Sequence, residues 1–304
     1  MPSNLDPLEA GVDEETTARG NGRDLMADFD FTGAGTVITG AGSGIGRSIA
    51  LEFGRLGAQV LVADINGEAA ASVAEEIVAT GGTARAQVVD VTEYESVEAL
   101  ADTAFSEFGR VDVLCNNAGV TWRPFRAVWN AGVADFRWMT EVNYFGVVHG
   151  VFAFLSRMRE QDGHKHMVNT SSLATLSTSP GHAPYTASKH AVDGLSDVLR
   201  EELVDHGDDF GITVLYPGLI TTNIGETSTA VRRQQTDDDL TAAIAYQQVR
   251  TFDFLHNQPK GPENVGKQVV EAIRHNDPYC ITHPAPADQL EERKNLWIRG
   301  YRGL

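Results

Sequence analysis

Short apolar runs alternate along this chain with longer stretches in which an apolar residue recurs every three or four positions. The short runs are rich in Val and Ile, which predicts buried strands, and the longer spacing is that of helices with one apolar face. Strands alternating with helices indicate repeated β-α units and a parallel sheet. The predicted strands are 36–40, 59–64, 85–90, 111–116, 166–171, 212–217 and 279–283.

Three helices between these strands can be bounded from the sequence. One spans 68–80 and ends before Gly81 and Gly82, since glycine commonly follows a helix C-terminus. The others span 134–159 and 183–204 and are apolar along one side. With 304 residues, 42% of them hydrophobic, the chain can bury one large core, so a single catalytic domain over residues 31–304 is expected.

Two regions depart from this alternation. Residues 1–30 are acidic and lack periodic apolar positions, so they are expected to form a flexible extension. Residues 219–261 follow a strand, contain the acidic run TDDD and are too long for an ordinary connection. This length predicts a substrate lid or a binding loop. Trp297 and Tyr301 suggest that the C-terminal tail docks on another surface.

Charge and cysteine content narrow the range of partners. A net charge of −18 and a pI near 4.8 disfavour nucleic acids and anionic membranes, because phosphate groups would be repelled. Cys115 and Cys280 lack disulfide or zinc spacing and are interpreted as buried small side chains, so no metal site is expected.

The N-terminus does not resemble a signal peptide, and the apolar run 144–155 is far shorter than the ~20 residues of a membrane span. A cytoplasmic location is expected.

The sequence TGAGSGIG, residues 39–46, follows the first predicted strand and opens a helix predicted to begin at Arg47. It does not satisfy the dinucleotide fingerprint G-x-G-x-x-G, because Ile45 takes the place of the third glycine. The wider spacing of Gly40, Gly44 and Gly46 still predicts a tight turn and a helix N-terminus open to pyrophosphate. A tight β-α turn without a ligand is the alternative.

Asp64, at the end of the second strand, strengthens the cofactor interpretation. A carboxylate roughly 20 residues beyond the glycines can accept hydrogen bonds from the adenosine ribose and would repel a 2′-phosphate. Ile65, Asn66 and Ser43 offer no basic side chain, so NAD(H) is favoured over NADP(H). The alternative for Asp64 is a helix N-cap.

Polar groups also end the fourth and fifth strands, as NNAG at 116–119 and TSS at 170–172. Open α/β sheets bind ligands at the carboxyl ends of their strands. Tyr185 follows Ser172 by thirteen residues, and Lys189 lies four residues further, on the same helical face. A phenol ionises near pH ~10, and a neighbouring ammonium together with an oxidised nicotinamide is expected to lower that pKa towards neutrality. Taken singly, Tyr185 and Lys189 are more often surface residues and Ser172 a helix cap.

These segments occur with Asp90 in VVDVT, Asn143 in EVNYFG and PGLITT at 217–222, in one order and at one set of spacings. Over roughly residues 33–284 the chain resembles the short-chain dehydrogenases/reductases. The resemblance implies an α/β fold of the doubly wound Rossmann type, a three-layer sandwich whose helices cover both faces of a seven-stranded parallel sheet. The cofactor-binding residues it implies are Gly40, Ser43, Gly44, Ile45, Gly46, Asp64, Asp90, Val91, Asn117, Ala118, Gly119, Tyr185, Lys189, Pro217, Gly218, Ile220 and Thr222.

The resemblance also implies a catalytic tetrad of Asn143, Ser172, Tyr185 and Lys189. Tyr185 would be the general acid/base, and Lys189 would lower its pKa and hold the ribose hydroxyls. Ser172 would donate a hydrogen bond to the substrate oxygen, and Asn143 would anchor a water linking Lys189 to solvent.

Other positions acquire cofactor contacts by the same resemblance. Asp90 and Val91 would contact the adenine, residues 117–119 the ribose region, and Ile220 with Thr222 the nicotinamide carboxamide.

The expected activity is hydride transfer between NAD(H) and a secondary alcohol or ketone. Trp122 and Phe125 follow NNAG, so the substrate is expected to be hydrophobic, although both side chains could equally be core. His182 is interpreted as a loop histidine without a catalytic role. An NADP(H)-dependent carbonyl reductase and a non-catalytic NAD(H)-binding regulator are the alternatives. Apolar residues of the expected lid are Ile224, Ala230, Val231, Leu240 and Ile244.

The assembly expected from the resemblance is a homotetramer formed through the two long helices 134–159 and 183–204, whose apolar residues would be buried against a partner.

Overall fold

The computed structural model describes residues 29–121, 125–177, 180–222, 224, 228, 260–284 and 287–300. Seven strands form one parallel sheet in the order β3-β2-β1-β4-β5-β6-β7. Their bounds are β1 Gly35–Thr39, β2 Gln59–Asp64, β3 Thr83–Val88, β4 Val113–Asn116, β5 Lys165–Thr170, β6 Phe210–Tyr216 and β7 Tyr279–Ile281.

Helices connect these strands. They are α1 Gly44–Arg55, α2 Gly67–Ala79, α3 Tyr94–Phe108, α4 Val133–Thr140, α5 Gly146–Arg159, α6 Leu173–Leu176, α7 Ala183–His206, α8 Val265–Arg274 and α9 Ala287–Gly300. Short 3-10 turns cover Val128–Asn130 and Pro262–Asn264, and a π-helical turn covers Glu141–Phe145.

Strand residues alternate between two cores, one on each face of the sheet. In β1 the side chain of Val37 joins the core formed with α3, α5 and α7, whereas Ile38 joins the core formed with α1, α2 and α8. In β2 the side chains of Leu61 and Val62 divide in the same way. This alternation follows from the two-residue period of a strand, and it confirms the predicted three-layer α/β sandwich.

The chain order reverses next to β1, because β2 and β3 lie on one side of it and β4 to β7 on the other. In a doubly wound sheet the loops leaving the carboxyl ends of such central strands diverge and form a crevice. The segments at 39–46, 116–119 and 170–172 all leave the sheet at this edge.

The structure corrects several predicted bounds. α1 begins at Gly44 and not at Arg47, so the glycine stretch itself forms the first helical turn. The helix predicted over 134–159 is divided into α4 and α5 by the π-helical turn. α7 continues beyond 204 to His206 and ends before Gly207, whose φ of 73° suits glycine at a helix C-terminus.

Some predictions fall largely or wholly outside the described residues. They concern most of the extension 1–30, Trp122, most of the lid 219–261 and Tyr301; the division into extension, domain and lid stays a prediction.

Cys115 and Cys280 are buried free thiols. In the described part of the chain, each helix is too short or too polar to cross a bilayer, and no group of three or more His, Cys, Asp and Glu could hold a metal.

Candidate active site

Three side chains of the predicted tetrad meet beyond the end of β5. Ser172 is the N-cap residue of α6, where its hydroxyl accepts a hydrogen bond of 3.1 Å from the amide of Ala174. The same hydroxyl lies close enough to the phenol of Tyr185 to lower its pKa. The ammonium of Lys189 lies 5.9 Å from the phenol ring centroid and donates a 2.8 Å hydrogen bond to the carbonyl of Thr170. The capping role and the site role of Ser172 therefore coexist.

The electrostatics of this group differ from the expectation. Burial raises the pKa of Tyr185, and the hydroxyl of Ser172 only partly opposes that shift. Burial also lowers the pKa of Lys189 to about 8, against the opposing charge of Asp193. The protein groups alone therefore do not lower the phenol pKa, because both charged forms lose hydration in the same volume. The expected lowering also depends on an oxidised nicotinamide and stays a prediction.

Asn143 lies in the π-helical turn and is fully buried. Its side-chain oxygen accepts a 2.8 Å hydrogen bond from the amide of Val120, and its nitrogen donates to the carbonyl of Val120 and to the hydroxyl of Ser188, both at 3.1 Å. A Cβ at Gly119 would lie 3.0 Å from Asn143 Oδ1 and 3.4 Å from Lys189 Nζ. Asn143 therefore fixes the loop after β4 beside the ammonium.

The glycine turn after β1 is shaped by close backbone contacts. Gly40 has a φ of 65° and packs against the backbone of Ala118, and a Cβ at Gly46 would collide with the carbonyl oxygen of Gly40. Ser43 is the N-cap of α1, but its side chain makes no hydrogen bond to the first amides of the helix. This glycine cradle and helix N-terminus fit the pyrophosphate of a dinucleotide.

Asp64, the predicted ribose-binding carboxylate, lies beside this turn. Its Oδ2 accepts a 2.9 Å hydrogen bond from the amide of Gly42, and its Oδ1 accepts one of 2.9 Å from the amide of Asn66. The N-cap of α2 is Asn66, so Asp64 is not the helix cap that was its alternative interpretation. An ionised carboxylate has about four lone-pair positions, and two such bonds leave acceptor capacity for ribose hydroxyls.

The side chain of Asn117 is bonded within the protein. It donates to the carbonyl of Thr39 at 2.9 Å, while the amides of Asn117 and Ala118 donate to the hydroxyl of Thr39 at 3.0 and 3.1 Å. Thr39 thus ties the ends of β1 and β4 together. The sequence offered this residue inside TGAGSGIG, but nothing there distinguished it from the glycines.

Asp90 and Val91 begin the loop after β3. One oxygen of Asp90 accepts hydrogen bonds from the amide and hydroxyl of Thr92, at 3.0 and 2.7 Å. Val91 is buried, and its carbonyl accepts a 2.8 Å hydrogen bond from His149 Nδ1. Both positions lie at the carboxyl edge of the sheet, as their predicted adenine contacts require.

The segment 217–222 after β6 is held by the end of β7. The amide of Gly218 donates a 3.0 Å hydrogen bond to the hydroxyl of Thr282, and a Cβ at Gly218 would lie 2.5 Å from the His283 ring. Ile220 pairs with Lys260 in an isolated bridge. The segment also reaches the glycine turn, because a Cβ at Gly44 would lie 3.0 Å from a methyl carbon of Thr222.

Pro217 closes the other side of this segment, since its carbonyl accepts a 3.0 Å hydrogen bond from the amide of Leu173, next to Ser172. Ile45 is half-buried and packs against the core under α1. The predicted cofactor residues therefore lie along one edge of the sheet, from Asp64 to Lys189.

Sequence reasoning missed a half-buried carboxylate behind Lys189. Asp193 lies one helical turn further along α7, beside the hydroxyls of Ser171 and Thr175. Burial raises its pKa, and its negative charge favours the ammonium form of Lys189. The four-residue spacing from Lys189 could have indicated Asp193. The neighbouring hydroxyls of Ser171 and Thr175 come from the loop after β5 and do not follow from that spacing.

Two aromatic side chains border the phenol. His182, expected to be a loop residue, is the buried N-cap residue of α7 and stacks on the Tyr185 ring. Phe125 packs edge-on against His182, with the ring centroids 4.9 Å apart. Phe125 is half-buried and so is neither a full core residue nor an open surface residue.

Comparisons with known proteins agree with this fold. The family described as short chain dehydrogenase matches residues 35–233. The 1-deoxy-11-beta-hydroxypentalenate dehydrogenase of Streptomyces arenae is 36% identical over 84% of this chain and 92% of its own length. The enzyme of that name from Streptomyces exfoliatus is 37% identical over 68% of this chain and 74% of its own.

Among solved structures, a short chain dehydrogenase/reductase from Burkholderia phymatum in complex with NAD superposes with a TM-score of 0.81. It is 33% identical, and the match covers 90% of this chain and 97% of that one.

Proposed function

Because this chain belongs to the short-chain dehydrogenase family, we propose that it is an NAD(H)-dependent oxidoreductase that interconverts a hydrophobic secondary alcohol and the corresponding ketone. The observation that carries the proposal is the meeting of the Ser172 hydroxyl, the Tyr185 phenol and the Lys189 ammonium at the carboxyl end of β5. A donor, an acid/base and a cation in one buried volume suit proton exchange with an alcohol oxygen.

In the oxidative direction, the phenolate form of Tyr185 accepts the proton of the substrate hydroxyl. Ser172 donates a hydrogen bond to the same substrate oxygen and holds it within reach of the phenol. When bound, the oxidised dinucleotide supplies the hydride acceptor and a positive charge. The ammonium of Lys189 adds a second positive charge, and together they counter the burial that raises the pKa of Tyr185.

The preference for NAD(H) is proposed from Asp64. Its carboxylate faces the adenosine side of the glycine turn and is fixed by the amides of Gly42 and Asn66. The related Burkholderia phymatum protein binds NAD, which supports the assignment. Asp64→Asn keeps an acceptor oxygen but removes the charge, so NADPH affinity should rise relative to NADH affinity. Equal affinity ratios in the variant and the wild type would contradict this role.

The hydrophobic substrate is proposed from the aromatic side chains next to the phenol, Phe125 among them. Two relatives are named as dehydrogenases of a hydroxylated compound, which agrees with alcohol oxidation. The test is a panel of secondary alcohols with NAD, followed through the absorbance of the reduced cofactor. Turnover is expected for bulky apolar alcohols; turnover of small polar polyols alone would refute the hydrophobic pocket.

The assembly is proposed to be a homotetramer. α5 and α7 each present large apolar side chains to solvent in the single chain, with Phe152 70% and Val198 58% exposed. Burial of both helices against partner copies would remove this surface from water. Sedimentation at micromolar concentration should give four times the chain mass, and a monomer would refute the proposal. The cytoplasmic location stays a prediction.

A further inference from the structure

His182 makes an unusually direct contact with the proposed acid/base. Its imidazole lies parallel to the Tyr185 ring, with centroids 4.4 Å apart and planes inclined by 10°. The side chain is 8% exposed. Flat stacking at this distance is a packing contact over the whole ring face, so it restricts rotation of the phenol as well as its displacement.

The sequence spacing produces this contact. His182 is the N-cap residue of α7 and Tyr185 is its third residue, so the two are three positions apart on one helical face. Pro184 lies between them in the first turn, where its fixed φ suits the helix start. The carbonyl of His182 accepts a 2.9 Å hydrogen bond from the amide of Thr186, which anchors the backbone on which the imidazole is mounted.

The polar edge of the imidazole is tied to another part of the site. His182 Nε2 lies 3.3 Å from the hydroxyl of Thr121, in the segment that follows NNAG. The imidazole makes no side-chain cap on α7, so this contact takes the place of the usual capping role. Phe125 packs against the imidazole from the side. Thr121 and Phe125 both belong to the segment that follows β4, so that segment contacts the ring at two places.

We propose that His182 is a positioning residue, whose imidazole holds the phenol of Tyr185 in the plane where its hydroxyl meets Ser172. The inference rests on the proposed function, since it gives His182 an effect on turnover through Tyr185. A flat ring at position 182 is the essential feature, and the hydrogen bond to Thr121 sets the orientation of that ring. Misplacing a reacting group by about 1 Å costs on the order of a hundredfold in rate, which bounds the effect.

The test compares three variants with the wild type. His182→Leu removes the flat ring and should lower kcat on the order of ten- to a hundredfold, with little change in the KM for NAD. His182→Phe keeps a flat ring and should stay within about fivefold of the wild type. His206→Leu removes a histidine from the far end of the same helix and should leave kcat unchanged. Thermal unfolding of each variant identifies any that fail to fold.

A second measurement does not depend on turnover. In protein labelled with ring-¹³C tyrosine, the resonance that disappears in Tyr185→Phe identifies Tyr185 among the seven tyrosines. That resonance should shift in His182→Leu, because the ring current of the stacked imidazole is lost, and should stay unshifted in His206→Leu.

Three results would overturn the inference: an unmoved Tyr185 resonance in His182→Leu, kcat in that variant equal to the wild type, or equal losses of kcat in the Leu and Phe variants. If instead no alcohol is turned over by the wild type, the proposed function fails, while the resonance shift still decides whether the two rings stack.

Discussion

The two halves of the site differ in whether backbone or side-chain atoms form them. On the side of β1 and β2, the cradle is made of backbone, since the turn from Gly40 to Gly46 is defined by close main-chain contacts. On the side of β5 and α7, it is made of buried polar side chains joined by hydrogen bonds, with Lys189 and Ser172 both less than a tenth exposed. In the backbone cradle an added atom would collide with the main chain. In the side-chain cluster the function depends on which groups are charged and where the protons lie. Substitutions should therefore fail differently in the two halves.

The largest effect is expected in the side-chain half, from Tyr185→Phe. Removing the hydroxyl eliminates the acid/base, which typically costs ~10²–10⁴-fold in rate, while the backbone cradle for the cofactor is untouched. Initial rates and NADH fluorescence titration should show lost turnover with retained NADH binding. Tyr279→Phe is the control, because this exposed phenol contacts Asp197 away from the site. Unchanged turnover in Tyr185→Phe would remove the phenol from the mechanism.

The buried ammonium of the side-chain half should make the free energy of unfolding depend on pH. Burial lowers the pKa of Lys189 from 10.5 to about 8, so between those values the unfolded chain binds one more proton than the folded chain. Stability contributed by this group therefore rises with pH across that window. Relative to Lys189→Met, the wild type should gain roughly 2 to 3 kcal/mol of unfolding free energy between pH 8 and 10.

Urea unfolding of both proteins at several pH values measures this difference. Lys267→Met, which removes an exposed lysine from α8, controls for the loss of a charge as such. Parallel curves for the wild type and Lys189→Met would show that the ammonium is not held in a buried environment.

The smallest effect is expected in the backbone half, where the direction of the stability change tests the close contact. Gly46→Ala places a Cβ against the carbonyl of Gly40 and should destabilise the fold by about 1–3 kcal/mol, with weaker NADH binding. In the unassembled chain, Gly194→Ala adds a Cβ to α7 that meets no other atom, and should instead stabilise by roughly 0.5–1 kcal/mol. Equal effects at the two glycines would mean that the turn has room to relax.

The sequence predicted the sheet well because its signals are local. All seven predicted strands are present, and the alternation of Val37 with Ile38 between two cores follows from strand periodicity alone. The side-chain contacts of Asp64 with Gly42 and of Thr39 with Asn117 were not predictable, because each joins segments at least 22 residues apart. The rise that burial causes in the Tyr185 pKa was not predicted, for a similar reason: burial is a property of the packed fold and not of the four-residue spacing to Lys189.

The π-helical turn at Glu141–Phe145 inserts one extra residue into what would otherwise be a continuous helix. Because the wider turn absorbs that residue, α5 keeps the phase it would have if the helix were uninterrupted. Val151 and Phe154 therefore face the core, and Phe152 stays exposed. A one-residue deletion within 141–145 should consequently leave the core packing of α5 in place and disturb instead the hydrogen bonds of Asn143 to the backbone of Val120.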